Sequence, residues 1–214
     1  MSQINFPSPP NLPLSPNQFD TRYQDGLNNV FRLYFNRISG TLQNILGPQG
    51  GQFLNFPSAA FYDTTDQTAA STTVAYPVSL NSTSFSNGVT VVSGSRITAA
   101  YSGIYNIQFS LQYVNTDSQI HDIDIWFRKN GTNLADSNSR FSVPNKHGSV
   151  DGHLIATLNF FADLVTDDYV EIMWRTDNVA ISLETLPSTS SPDRPAIPSA
   201  IVTATFVSSK LEGA

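Results

Sequence analysis

Apolar and polar residues alternate along most of the chain from about residue 57 onward. In the stretch AYSGIYNIQFSLQY (100–113), every second residue from Tyr105 to Tyr113 is apolar, and Asn, Gln and Ser residues lie between them. A period of two predicts a strand with one dry face and one wet face. We therefore expect the dry face of this strand to line a protein core.

Similar short segments follow one another along the same region, and turn signals such as Asn87-Gly88 and Asn130-Gly131 separate them. The segments are 74–80, 89–92, 96–99, 123–127, 154–160, 170–174, 179–183 and 201–207. No helical pattern lies between them, which excludes a parallel βαβ architecture, and no internal repeat points to a propeller. The pattern predicts a mainly β, antiparallel sandwich or jelly roll of about eight to ten strands.

One earlier segment has helical periodicity instead. Ser15 as N-cap, Pro16 at the first helical position and Gln18 at N3 predict a capping-box start, and Gly47-Pro48 predicts the stop. The sequence therefore predicts an amphipathic helix over residues 17–46. Its apolar stripe consists of Phe19, Tyr23, Leu27, Val30, Phe31, Tyr34, Phe35, Ile38, Leu42 and Ile45.

This aromatic stripe needs a partner that buries it. The partner is either the rest of the same domain or sister helices and other proteins. We favour the second interpretation, because a β-sandwich closes its own two faces without a helix. The stripe is thus predicted to be an anchor or a trimerisation element.

The chain divides by composition into five parts. Residues 1–16 are rich in proline and are interpreted either as an extended arm or as a disordered terminus. The predicted parts are the arm (1–16), the helix (17–46), a flexible linker (47–56), a jelly-roll domain (57–208) and a short tail (209–214).

Composition narrows the range of functions. Charged residues make up 13% of the chain and the net charge is −6, which argues against nucleic-acid binding because that needs a basic surface. There is no cysteine, so a disulfide scaffold, a thiolate nucleophile and a Cys-ligated metal are excluded. No run reaches the ~18 apolar residues of a membrane span, and the N-terminus lacks the pattern of a signal peptide. We expect a soluble protein with no membrane insertion.

Four motifs, in the order found here, resemble strands of the complement/tumour-necrosis-factor-like jelly roll. They are the Gly-x-Tyr strand YSGIYNIQFSLQY, then IDIWFRKNGTNLADS, LNFFADLVTDDYVEIMW and the closing IPSAIVTATFVS. The residues that match the motifs are Gly103, Tyr105, Asn130, Gly131, Asp168 and Phe206. The family's Gly-Asp turn is Asp167-Asp168 here, which puts a left-handed residue at 167 in question.

Within that superfamily, AFYDTTDQTAAS, SNGVTVVSGSRITAAYSGIY and NFFADLVTDDYVEIMW resemble virion proteins of tailed bacteriophages, especially marine ones. The resemblance implies a homotrimer with the Gly-x-Tyr sheet around a threefold axis, so the wet face of that strand meets either solvent or a polar axis. It also implies a structural or adhesive role in the virion, with other capsid or tail proteins as partners. The alternative is a host-surface module that binds a glycan or protein through loops such as 132–152 and 186–198.

No enzyme motif or cofactor site is predicted. His121, His147 and His153 lack a metal-ligand partner at i+4, and no catalytic or metal residue is assigned. Asp122 and Asp124 share one strand face and form the best carboxylate pair. We favour a solvated face beside Arg128 over calcium binding or catalysis. Trp126 points away from the apolar face and is the candidate for an exposed contact.

Overall fold

The computed structural model describes residues 7–14, 16–46 and 55–209. The chain forms two compact units, residues 1–55 and 56–214. Most of the predicted linker and of the predicted tail lie outside the described residues, as do Ser15 and the predicted helix stop at Gly47-Pro48.

The N-terminal unit contains one helix, α1 (Thr21–Leu46). Asp20 is its N-cap, because the Asp20 carboxylate accepts a hydrogen bond from the Arg22 amide at 2.9 Å and the Asp20 carbonyl accepts one from the Gln24 amide at 3.1 Å. A helix in this segment was predicted correctly, but its start was not.

Pro16 and Gln18 lie in irregular chain before the helix, so the predicted capping box is wrong. Phe19 also precedes the helix and is 83% exposed. The physical reason is that Asp20 is an equally good N-cap and stands immediately before an unbroken run of helical residues.

The proline-rich arm contacts this helix. Tyr23 Oη donates a hydrogen bond to the Pro13 carbonyl at 3.3 Å. Further along, a groove of about 310 Å³ lies between the arm and the helix. Its lining residues are Ser8, Pro9, Pro10, Asn11, Val30, Leu33, Tyr34 and Arg37. The described part of the arm, residues 7–14, therefore runs back along one edge of the apolar stripe.

The C-terminal unit is built from short strands. In chain order they are β1 (Ser58–Asp63), β2 (Gln67–Thr68), β3 (Tyr76–Pro77), β4 (Ser82–Asn87), β5 (Val89–Val92), β6 (Arg96–Ala99), β7 (Gly103–Asn115), β8 (His121–Lys129), β9 (Thr132–Asn133), β10 (Ser139–Val143), β11 (Gly152–Leu164), β12 (Tyr169–Thr176), β13 (Ile181–Leu183), β14 (Thr189–Ser190), β15 (Asp193–Arg194) and β16 (Ala200–Ser208).

Two antiparallel sheets form the sandwich. The first sheet has the order β2–β13–β7–β16–β1–β4, with β11 paired along the whole of β7. The second has the order β10–β8–β12–β6–β5, and β3 and β9 add to β12 and β8. The chain passes repeatedly from one sheet to the other, for example from β7 to β8 and from β10 to β11. This is an antiparallel jelly roll, one of the two architectures that the alternation predicted and the one that the family resemblance implied.

The core lies between the sheets and is rich in aromatic residues. Tyr105, Tyr113 and Trp174 are 1%, 0% and 1% exposed, which confirms that the dry face of the opening strand lines the core. Tyr113 and Trp174 pack edge to face with ring centroids 5.6 Å apart.

Some strand boundaries differ from the prediction. Val74 and Val179 alternate correctly in the sequence but lie outside the strands and are 48% and 55% exposed. Strand β4 was missed because its sequence, STSFSN, has one apolar residue and so no alternation to detect.

Candidate functional site

On the outer surface of the first sheet, the middle stretches of β7, β11 and β16 carry no charged side chain, and the outward His153 and Asp163 lie at the two ends of β11. We call this surface the uncharged face. It consists of the outward residues of these middle stretches: Asn106, Gln108, Ser110, Gln112, Ile155, Thr157, Asn159, Phe161, Ile201, Thr203 and Thr205.

Large apolar side chains on the uncharged face are open to solvent. Ile155 is 56% exposed, Phe161 57% and Ile201 44%. A shallow groove of about 440 Å³ crosses the middle of the face between β11, β7 and β16. Asn106 Oδ1, outside this groove, is buried and accepts no hydrogen bond from the described part of the chain. An uncharged surface with exposed aromatic and aliphatic groups has the composition of an interface core.

The outer surface of the second sheet is charged, by contrast. Asp124 is 5% exposed and lies between two arginines. Arg140 Nε donates to Asp124 Oδ1 at 2.8 Å, and Arg175 Nε donates to Asp124 Oδ2 at 2.8 Å. The hydrogen bond from Arg140 is the main cause that lowers the pKa of Asp124; burial opposes it and Arg175 adds to it. We call these three residues the Asp124 row.

A second group of the same kind lies on the same surface. Glu171 is 4% exposed, and its Oε2 is 2.8 Å from Arg128 Nη2. Ser95 Oγ donates to Glu171 Oε1 at 2.8 Å, and Arg96 Nε is 4.0 Å from the same oxygen. These residues form the Glu171 row. The expectation that Asp122 and Asp124 share an outer face agrees with this geometry, but Arg128 belongs to Glu171 and not to that pair.

A polar pocket of about 290 Å³ opens beside the Asp124 row. Its lining residues are Thr72, Asp122, Asp124, Arg140, Arg175, Thr176 and Asp177. They come from β8, β10, β12 and two loops, so no local motif in the sequence could have revealed the pocket. Within the described ranges, no group of three or more His, Asp or Glu residues is arranged to hold a metal ion.

Two of the histidines, His121 and His153, lie beside carboxylates. His121 Nε2 lies 2.7 Å from Asp117 Oδ2, and His121 Nδ1 lies 3.3 Å from Asp177 Oδ1. His121 thus joins the β7–β8 loop to the β12–β13 loop, and its hydrogen bond is the main cause that lowers the pKa of Asp117. His153 Nδ1 is 3.5 Å from Glu184 Oε2.

The residues matched by the family motifs meet in two places. At one, Phe206 packs edge to face on Tyr105 with centroids 5.6 Å apart. A Cβ at Gly103 would lie 2.3 Å from the Phe206 ring, so glycine is needed there. At the other, the turns after β8 and β11 are joined through Asn130 and Asp168.

The second contact depends on Asp168, which is 9% exposed. Lys129 Nζ lies 2.8 Å from Asp168 Oδ2, Asn130 Nδ2 donates to Oδ1 at 2.6 Å, and the Val165 amide donates to Oδ2 at 2.9 Å. Burial raises the pKa of Asp168, but these hydrogen bonds outweigh it and lower the pKa from 3.8 to about 2. Asp167, next to it, has φ +67°, so the left-handed turn is kept without glycine.

We expect Asp168→Asn to destabilise the fold by about 1 kcal/mol at pH 7, after discounting the pKa shift for solvent screening. A carboxylate with a depressed folded-state pKa adds stability above its unfolded-state pKa, and this is lost as pH falls from about 4 towards 2. Urea unfolding at one protein concentration and several pH values measures the free energy of unfolding of the two chains. Asp167→Asn, exposed and tolerant of positive φ, is the matched control. An unchanged stability in Asp168→Asn at pH 7 would refute the role.

Trp126 lies on the outer surface of the second sheet and is half-buried. Its Nε1 donates to Asn133 Oδ1 at 2.9 Å, which fixes the orientation of the indole. Asp124 precedes it on the same face, since the two are separated by one inward residue.

The predicted helix stripe is covered on one edge and open on the other. Tyr23, Leu27, Val30, Tyr34 and Ile38 are half-buried. Phe31, Phe35 and Leu42, on the neighbouring edge of the helix, are 38%, 60% and 49% exposed. Ile45 is half-buried as well. Within the described residues, no helix is long and apolar enough to span a membrane.

Comparison with known proteins finds similar solved structures but no family. No protein-family model matches the chain, and no curated protein matches it. One similar solved structure is the Eiger TNF from S. frugiperda, at 10% identity and a TM-score of 0.46, covering 74% of this chain and 97% of that chain. Another is the globular domain of zebrafish complement 1qA protein, at 12% identity and a TM-score of 0.43, covering 73% of this chain and 100% of that chain.

The two neighbours are of the kind that the sequence motifs resemble. At these identities and TM-scores they carry no argument about function, and nothing in them indicates a phage origin.

Proposed function

We propose that the chain is a non-enzymatic structural component of a phage virion that assembles as a homotrimer through the uncharged face of its jelly roll. The observation that carries the trimer is the uncharged face itself. It exposes Ile155, Phe161 and Ile201 among polar side chains that carry no charge. The phage assignment rests on the resemblance of the sequence.

The N-terminal unit is proposed to dock the trimer onto the particle. Its open edge, Phe31, Phe35 and Leu42, remains apolar and exposed after the arm has covered the other edge. Burial of such side chains is worth about 25 cal/mol per Å² before the entropy of association is subtracted. The heads would then project from the capsid or tail as a decoration, cement, fibre or knob.

The second candidate is a host-surface module that binds a glycan or protein. It is supported by the polar pocket and by the exposed aliphatic side chains of the loops at one end of the sandwich. Ile120, Val150 and Val179 are 62%, 66% and 55% exposed. Exposed loops on a rigid sandwich are common binding elements.

The solution mass of the full chain tests the trimer directly. Light scattering of the protein, whose monomer mass is 23.4 kDa, should give about three times that value. Residues 56–214 alone should also be trimeric if the uncharged face makes the contact. If the full chain is trimeric but residues 56–214 alone are monomeric, the helix and not the uncharged face makes the trimer contact. Two monomers would contradict the proposed assembly in solution.

A further inference from the structure

The polar pocket combines hydrogen-bond donors and acceptors that are already fixed in place. Arg140 uses Nε and Nη2 on Asp124, and Arg175 does the same. The Nη1 group of each guanidinium has no partner among the described residues and remains as a donor. Because Asp124 holds both side chains, a ligand would order little on binding.

The acceptors of the pocket are held as well. Asp122 Oδ1 accepts from Ser142 Oγ at 2.6 Å, and Asp177 Oδ1 accepts from the Asp122 amide at 3.1 Å. The second carboxylate oxygen of each has no partner within the described ranges. Thr72 adds an exposed hydroxyl to the rim.

The Glu171 row contains the same types of charged group, but its groups are paired within the protein. There Ser95 takes up the second carboxylate oxygen, and Arg96 lies over the Tyr169 ring at 4.7 Å from its centroid. The guanidinium of Arg96 is thus engaged by the protein. In the Asp124 row, by contrast, the Nη1 groups of Arg140 and Arg175 lie beside the polar pocket.

The chemistry of the cavity selects its ligand. Three carboxylates and two guanidiniums give the lining a net charge of −1, which disfavours an anion. The polar lining disfavours an apolar ligand. Vicinal hydroxyls, which both donate and accept, match the mixed set of guanidinium and carboxylate groups.

We propose that the polar pocket binds a neutral saccharide. The inference rests on the second candidate function, host-surface recognition, and gives it a site and a ligand class. Arg140 and Arg175 donate to sugar oxygens, while Asp122 and Asp177 accept from sugar hydroxyls. Trp126, on the same face next to Asp124, provides a spectroscopic reporter, since the other tryptophan, Trp174, is buried in the core.

The experiment titrates the full chain with glucose, galactose, mannose, rhamnose and disaccharides of these sugars. Sialic acid and glucuronic acid serve as anionic comparators. Saturation-transfer NMR detects binding, and tryptophan fluorescence gives the affinity. We expect binding of at least one neutral sugar, weakened about tenfold or more in Arg140→Gln and in Asp177→Asn.

Matched variants distinguish a loss of sugar binding from a loss of folding. Arg140 and Asp177 side chains are 60% and 55% exposed, so both variants should fold, and circular dichroism checks this. Arg96→Gln, in the Glu171 row, is the control and should bind as the unmodified chain does. If Arg140→Gln fails to fold, Asp177→Asn and Thr72→Val carry the test.

The possible failures are distinguishable. If a neutral sugar binds and the pocket variants do not weaken it, the pocket is wrong and host-surface recognition stands. If sialic or glucuronic acid binds better than every neutral sugar, the ligand class is wrong. If no saccharide binds, both the pocket and the glycan form of the second candidate are overturned, while the trimeric structural role is untouched.

Discussion

Phe161→Glu should convert the proposed trimer into a monomer. Phe161 is 57% exposed at one end of the uncharged face, and it lies opposite Asn106 in the β7–β11 register. Burial of a phenylalanine side chain contributes about 1.5–3 kcal/mol, and a glutamate in its place would also have to be desolvated without a cationic partner. A homotrimer contains the substitution three times, so the loss is repeated at every contact.

Light scattering across a concentration series measures this change, with circular dichroism to verify the fold. Val92→Glu is the matched control, because Val92 is 46% exposed but belongs to β5 in the second sheet. Its mass should remain at three times that of the monomer. A trimer that survives Phe161→Glu would place the contact elsewhere, and loss of the trimer in Val92→Glu would do the same.

The sequence predicted the two-sheet fold because its signal is local. Alternation over residues such as Tyr105 to Tyr113 requires one buried face whatever the partner strand is. The helix start was misplaced because Ser15-Pro16 and Asp20 are both good N-terminal signals within one short stretch, and the choice between them is made by the chain that follows.

The candidate sites could not be predicted in the same way. Asp122 and Asp124 were recognised as a pair, but the partners of Asp124 lie 16 and 51 residues away on β10 and β12. Only the strand order brings these arginines to one carboxylate. The uncharged face was predicted only in part. The alternation identified the outward polar residues of β7, but Ile155 and Phe161 lie beside them only because β11 pairs with β7.

The two outer faces of the sandwich therefore have different physical properties. The uncharged face can be buried at a lower desolvation cost than the second sheet, because amides and hydroxyls that hydrogen-bond across an interface cost less to bury than ions. Burial of the second sheet has a higher desolvation cost, because the charged groups of the Asp124 row and the Glu171 row would lose their water. This asymmetry supports the proposed assembly through the first sheet, in which the second sheet would face outward and the polar pocket would be accessible.

On the proposed function, Phe35→Glu should weaken docking of the protein onto the particle while leaving the proposed trimer of heads intact. Phe35 is 60% exposed on the open edge of α1, with its ring 6.5 Å from that of Phe31 and 5.9 Å from that of Tyr34. If this edge is the anchor, each subunit loses about 2 kcal/mol of apolar burial and gains a charge to desolvate, so attachment should weaken about 30-fold or more.

The measurement is the occupancy of the protein on particles assembled in its absence and then supplied with purified trimer. Asn36→Glu is the control, because it adds the same charge at the adjoining position on the exposed polar side of the helix. It should dock normally. If Phe35→Glu reaches full occupancy, the open edge of the helix is not the anchor, and attachment must use the proline-rich arm or the head. If both variants fail equally, added charge on the N-terminal unit, and not the loss of the phenylalanine, is responsible.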